Sequence, residues 1–211
     1  MRALVTGFEP FESDRINPSS EVLAHLPPTL GELDVQTQVL PCVFGQALTV
    51  LRQAVAAASP DIVLCVGLAG GRAELSLERV AINVDDARIA DNAGNRPVDA
   101  PVIAGGPPAY FTGLPIKAAV AELRRAGLPA GVSNSAGTFV CNHVFYGVMH
   151  LAAEAGFRAG FLHVPYLPVQ AARHPGAPSM ALAHLARGIE IILTVAAART
   201  EDIAVSEGAV A

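Results

Sequence analysis

Three side chains in this sequence have the types that thiol-based acyl transfer requires: Cys141, His163 and Glu78. A thiol attacks as its thiolate, and the usual way to make one is a histidine that takes the proton and is itself oriented by a carboxylate. Cys141 follows a run of small and turn-forming residues, 133–137, and precedes Val144, Phe145, Val148, Leu151 and Ala152 at helical spacing. That pattern places it in the first turn of a helix. The partial positive charge of a helix N-terminus favours an anion, so the thiol is expected to lean towards thiolate. The alternative is packing, since free cysteine is among the most buried residue types. Of the six histidines, His163 is the candidate base because it stands near the end of an apolar strand, where α/β sheets present their sites. His143 and His150 share the Cys141 helix and read as surface or interface residues, while His25, His174 and His184 have no chemical company. Glu78 stands among Leu77, Val80 and Ile82 in a strand predicted over 75–84, and a carboxylate buried there needs a partner. Arg79 beside it points to the opposite face of a strand, so the partner must come from elsewhere in the chain.

The elements that must position these groups alternate between strand and helix. Residues 2–6 read as a strand that ends at Gly7 in a loop carrying Phe8 and Phe11, before an Asn17-Pro18-Ser19 turn. The two phenylalanines fit a core plug and a pocket wall equally well. A helix over 20–26, a strand over 35–40, a helix over 45–58 and a buried parallel-type strand over 61–67 follow, which is an α/β signature. The glycine-rich loop 68–71 lacks phosphate-cradling spacing. Residues 85–115, first charged and then rich in proline and glycine, read as one long loop with a short strand at 87–90. Loops of that length tend to be functional or to form subunit contacts. A helix over 116–126 and a strand over 131–133 lead into the Cys141 helix; a strand over 160–166 carries His163, and a helix over 180–198 closes the chain. Residues from about 200 to 211 read as a frayed tail.

Composition narrows the function classes. With 211 residues the chain has the length of one domain, 1–211, with a core that needs no disulfide or metal. Mean hydropathy is high at +0.42, but the longest uncharged run is broken by polar residues, so no membrane span is expected. No signal peptide is apparent. Three cysteines, Cys42, Cys65 and Cys141, are odd in number and lack CxxC spacing, which argues for reduced thiols in the cytoplasm and against a zinc site. A net charge of −5 with one lysine argues against a nucleic-acid partner. Cys42 and Cys65 sit in or beside apolar strands and read as core.

Several segments carry a resemblance. Gly67-Leu68-Ala69-Gly70, followed by Leu75-Ser76-Leu77-Glu78-Arg79-Val80-Ala81-Ile82-Asn83, is similar to the segment around the catalytic glutamate of the pyroglutamyl-peptidase I (pyrrolidone-carboxylate peptidase) family of cysteine peptidases. Ser133-Asn134-Ser135-Ala136-Gly137-Thr138-Phe139-Val140-Cys141-Asn142 is similar to the segment around its nucleophile, and Phe161-Leu162-His163-Val164-Pro165 resembles that around its histidine. Val5-Thr6-Gly7-Phe8-Glu9-Pro10-Phe11 and Ala87-Arg88-Ile89-Ala90-Asp91-Asn92 also match, so the likeness covers nearly the whole chain.

The resemblance implies an exopeptidase that removes an N-terminal pyroglutamyl (5-oxoprolyl) residue from peptides through a Cys-His-Glu triad and an acyl-enzyme. Cys141 would attack the carbonyl, His163 would hold the proton and pass it to the leaving amine, and Glu78 would fix the imidazole. The Cys141 N–H would help hold the oxyanion, with Arg88 nearby. Pyroglutamate is cyclic and uncharged, so its pocket needs flat apolar walls and a few amide-sized hydrogen bonds. Phe8, Phe11 and Phe139 are candidate walls, and the resemblance has Phe11 and Phe139 sandwich the ring. Backbone near Ile89 and the Asn17 side chain are candidate polar contacts. Leu68 stands where some members carry glutamine, so if that glutamine holds the lactam this chain must use backbone alone or bind more weakly. No cofactor or metal is expected, and a homo-oligomer, dimer or tetramer, is implied. The expected fold is α/β, a single-domain three-layer α/β/α sandwich with a twisted, mostly parallel (mixed) central sheet. The alternatives are a cysteine-dependent amidase on another cyclic amide and a catalytically silent binding protein of the same fold.

Overall fold

The apolar runs of β1 (Arg2–Phe8), β4 (Ile62–Leu68) and β9 (Arg158–Val164) are buried almost throughout, as strands in the middle of a parallel sheet must be. The computed structural model describes residues 1–12 and 14–208. With β2 (Thr29–Leu30), β3 (Leu33–Leu40), β5 (Leu75–Glu78) and β8 (Ala130–Ser133), these strands form a seven-stranded sheet in the order β2-β3-β1-β4-β9-β5-β8. β3, β1, β4 and β9 pair in parallel, whereas β5 runs antiparallel to β9 and β8 runs parallel to β5. The sheet is therefore mostly parallel but mixed.

Strand alternation divides the core into two layers. On one face Leu64, Val66, Leu162 and Val164 pack with apolar residues of α3 (Ile116–Arg125) and α6 (Leu182–Ala198). On the other, Val63, Cys65 and Phe161 pack with α2 (Gln46–Ala58) and α4 (Val140–Ala155). This second layer holds the site. Among the described residues, no helix is long and apolar enough to cross a membrane.

Three expectations change. The strand predicted over 75–84 is two strands: β5 ends at Glu78, and β6 (Val80–Ile82) leaves the main sheet to pair with β7 (Ala109–Phe111). Arg79 is the corner, its carbonyl accepting from Thr112 N at 2.9 Å and its N–H donating to Ser133 O at 2.8 Å. The strand β7 lies inside the span read as pure loop, and residues 87–90 form no strand; the nearest pairing is an isolated bridge between Asp85 and Ala100. The tail is also held as far as Gly208. Asp202 accepts from Lys117 N and Ala118 N at 2.9 and 2.8 Å, capping α3 with its carboxylate. Glu207 accepts from Arg79 Nη2 through its carbonyl at 2.6 Å and pairs its carboxylate with Arg124 at 2.5 Å. Residues 209–211 lie outside the described residues.

Candidate active site

β9 supplies the histidine and its neighbours bring the partners. Gly67 on β4 is the register partner of His163, and a Cβ on Gly67 would lie 2.9 Å from Cys141 Sγ and 2.8 Å from Phe161 Cζ. The thiol therefore rests over the sheet face on which His163 projects, in space that a side chain on residue 67 would fill. From the other side, β5 pairs Ser76 with His163, which sets Glu78 on that same face two residues further on. Its Oε1 lies 2.7 Å from His163 Nδ1, with Glu78 0% and His163 4% exposed. A carboxylate only accepts, so Nδ1 carries the proton and Nε2 keeps a free lone pair. The Glu78 partner called for by the sequence is thus His163, joined by a second that sequence reasoning missed. Arg72, in the loop after β4, donates to Oε1 at 2.8 Å and to Ser135 O at 3.1 Å. Arg79 turns away to Asn134 Oδ1 at 2.7 Å and to Glu207.

Burial is the largest influence on Glu78 and would raise its pKa, but the hydrogen bond and charge of His163, the Ser133 hydroxyl and Arg72 hold it below the ordinary 4.5. Burial pushes His163 below its usual 6.5 against the pull of Glu78, with Arg72 lowering it further. Burial also pushes the Cys141 thiol up, helped by Cys42 and Glu78 and opposed by Arg72. Both shifts favour the neutral thiol and the neutral imidazole over the resting thiolate expected from the sequence, because desolvation penalises both charged forms. Cys141 is the second residue of α4, as its sequence pattern requires. Phe139, the N-cap, offers no side-chain bond to the first-turn N–H groups, which leaves the Cys141 N–H region able to meet developing negative charge.

A cleft of about 390 Å³ at the start of α4 is lined by Asp86, Arg88, Ile89, Gly137, Thr138 and Phe139, the last of these two residues before Cys141. Its two banks are sewn together: Asp86 N donates to Thr138 O at 2.9 Å, and Thr138 Oγ1 donates to Asp86 O at 2.7 Å. Arg88 and Ile89 are exposed on its rim. Phe139 meets Phe11 with ring centroids 5.2 Å apart and Phe44 edge-on at 5.3 Å. Phe11 and Phe139 touch each other, so a flat ring enters between them only if they part to about 7 Å, twice a van der Waals spacing.

Other expected pocket groups are engaged elsewhere. Phe8 is 2% exposed and belongs to the core between the sheet and α2/α4, because it is still part of β1 and alternation turns it inward. It is a core plug and not a cleft wall. The Asn17 side chain is spent on its own loop: Oδ1 accepts from Ser19 N and Ser19 Oγ at 3.1 and 2.8 Å, and Nδ2 donates to Glu9 O at 3.0 Å. This N-cap of α1 (Pro18–Glu21) fixes the Phe11 loop with both Oδ1 lone pairs and one Nδ2 hydrogen, which leaves a single N–H over. Leu68, the last residue of β4, alternates to the face opposite Gly67, leaving only its backbone near the thiol. His143 is not a surface residue: it is buried, its Nδ1 bonding Asp85 Oδ2 at 2.8 Å and its Nε2 accepting from Gly45 N at 2.9 Å. Next to Cys141, Asn142 clasps the end of β6 and the residues after it through Ile82 N, Ile82 O and Val84 O at 2.9–3.0 Å.

The mixed sheet, the thiol at a helix start and the carboxylate-bound imidazole define the class: an α/β protein equipped with the groups of thiol-dependent acyl transfer. A family model described as pyroglutamyl peptidase matches residues 1–199, and the chain belongs to that family. It is 56% identical over 208 residues to the pyrrolidone-carboxylate peptidase of Escherichia fergusonii, covering 98% of this chain and 97% of that one. It is 54% identical over 209 residues to the enzyme of that name from Erwinia tasmaniensis, covering 99% and 98%. The crystal structure of pyroglutamyl peptidase I from Bacillus amyloliquefaciens superposes with a TM-score of 0.93 at 46% identity, over 96% of this chain and 99% of that one.

Proposed function

We propose that this protein removes the N-terminal pyroglutamyl residue from peptides with Cys141 as nucleophile, His163 as base and then acid, and Glu78 as the group that orients His163. The observation that carries the assignment of roles is the buried 2.7 Å contact between Glu78 and His163, together with the placement of Cys141 Sγ over Gly67, the register partner of His163. Nε2 takes the thiol proton as sulfur attacks the pyroglutamyl carbonyl carbon, so the ion pair forms with the bond and the carboxylate stabilises the imidazolium. The Cys141 N–H meets the oxyanion, with Arg88 on the cleft rim as a nearby positive charge. Collapse of the tetrahedral adduct expels the peptide amine, which leaves with the proton from Nε2. Water, deprotonated by the same nitrogen, then releases pyroglutamate and returns the thiol. The cleft beside Phe139 and its contact with Phe11 support an apolar, uncharged ring as ligand.

Release of a fluorophore from a pyroglutamyl amide, compared with prolyl and glutamyl amides, tests this reading. Turnover of the pyroglutamyl amide alone is expected. Its absence from folded protein overturns the proposal, and prolyl release in its place points to an amidase for a different ring. We further read the chain as a cytoplasmic homo-oligomer, a dimer or tetramer. The exposed Val98 and Phe111, each 71% accessible and both in the proline- and glycine-rich span, support a subunit contact there. Light scattering of the purified protein and fractionation of cells producing it are the tests.

A further inference from the structure

Glu78 Oε1 accepts two charge-bearing donors while Oε2, equally buried, has no hydrogen-bond partner among the described residues. The Ser133 hydroxyl lies close enough to act on the carboxylate, but its own bond is to Ser135 O at 3.2 Å. A glutamate carboxylate turns easily about its last torsion, so something must fix its plane and keep one of its two equivalent oxygens in line with the imidazole N–H. Arg79 is committed to Asn134 and Glu207. The remaining candidate is Arg72, whose second nitrogen is tied to Ser135 O in the loop that leads to Cys141. We propose, resting on the triad assigned above, that Arg72 is a positioning residue: its guanidinium takes the second lone pair of Glu78 Oε1 and braces that carboxylate against the loop 133–137, so that Oε1 stays on His163 Nδ1.

Charge leads to the same conclusion. A fully buried carboxylate facing a neutral imidazole requires a counter-ion, and Arg72 is the cation that touches it. The titratable groups acting on the thiol and imidazole are Glu78, Arg72, Cys42 and Cys65, so Arg72 is the group that offsets Glu78. The planar fork of arginine reaches Glu78 and Ser135 together, which a lysine ammonium on a single flexible stem does not reproduce.

The test is pyroglutamyl-amide hydrolysis by Arg72→Met, Arg72→Lys, Glu78→Gln and the Arg72→Met/Glu78→Gln double variant, each checked for folding by circular dichroism. Arg72→Met is expected to lower kcat about 10- to 100-fold, the worth of one charged hydrogen bond, with KM within about twofold. The acid limb of its kcat/KM profile moves to higher pH, because Arg72 disfavours protonation of His163. Arg72→Lys keeps that limb and recovers part of kcat, and so carries the test if the methionine variant does not fold. The double variant loses no more than Glu78→Gln alone. A folded Arg72→Met with wild-type kcat and acid limb overturns the proposal while a slow Glu78→Gln leaves the triad standing. Losses that multiply in the double variant overturn it too, and a wild-type rate in Glu78→Gln removes both the triad and the brace.

Discussion

Replacing Gly67 with alanine adds a single carbon at the centre of the site. That Cβ lies 2.9 Å from Cys141 Sγ and 2.8 Å from Phe161 Cζ, whereas unstrained heavy atoms stay about 3.5–4.0 Å apart. The backbone of β4 is held by β1 and β9 on its two sides, so the thiol and the Phe161 ring must retreat by roughly 0.6–1.2 Å to restore that spacing. Phe161 packs against the His163 ring at 4.9 Å between centroids, so its movement disturbs the base as well. A misplacement of about 1 Å between reacting groups costs about 100-fold in rate, and overpacking costs about 1–3 kcal/mol of stability. Gly67→Ala is therefore expected to keep its fold and lose about two orders of magnitude in kcat/KM on a fluorogenic pyroglutamyl amide. Gly188→Ala is the control: its Cβ meets Leu75 Cδ1 on the opposite side of the sheet, so urea unfolding shows the strain while turnover per folded molecule is kept. If Gly67→Ala hydrolyses the substrate at the wild-type rate, sulfur does not sit where catalysis requires it and the assignment of Cys141 over His163 is wrong.

Cys141→Ala abolishes turnover, while Cys42→Ser and Cys65→Ser keep most of it; burial pushes both of the latter thiols up to about 12, and activity surviving in Cys141→Ala moves the nucleophile elsewhere. Asp202→Ala removes the carboxylate that caps α3 and lowers stability by about 1 kcal/mol; an unchanged urea midpoint returns the tail to a passive role. Acid destabilises the fold in two stages. His163 is held below 6.5 and Glu78 below 4.5, so in each window the unfolded chain binds more protons than the folded one, and stability present above those values is lost as pH falls through the folded ones. Urea midpoints measured from pH 8 to pH 3 should fall below pH 6.5 and again below 4.5, and a flat series contradicts both the burial assigned to His163 and the hydrogen bonds and charges assigned to Glu78.

Cys141, His163 and Glu78 were legible because each lies in an element with a strong periodic or apolar signature, and the family likeness tied the three together. Arg72 was not, since a loop folding back over six residues leaves no period to read. His143, which reads as a surface or interface residue, is buried because α4 is apolar on most sides, with Val140, Val144, Phe145 and Tyr146 all buried; a helix of that kind leaves little solvent face. Phe8 and Phe11 look alike in the sequence, and only the point at which β1 ends separates core plug from pocket neighbour. β7 escaped because three residues among prolines and glycines carry no pattern, and the strand exists through its pairing with β6. The tail reads as frayed because its residues follow no helical or strand period, whereas its order as far as Gly208 comes from Asp202 and Glu207.

Among the described residues β9 is the last strand in sequence yet the fifth of seven in the sheet, which has a consequence for how the protein is made. Before residues 158–164 arrive, β2-β3-β1-β4 and β5-β8 are two separate ribbons, each with an open edge facing the other. The wedge that joins them also carries the imidazole. Glu78 is then without its base, and Cys141 lies on a helix whose sheet is split, so a nascent chain on the ribosome has no working site until nearly four-fifths of it has been synthesised. Closure by a strand 85 residues from its Glu78 contact is a long-range event of the kind that slows folding. The same step that completes the fold brings the proposed site into being, and truncated products of translation carry Cys141 without the histidine and carboxylate contact proposed to activate it.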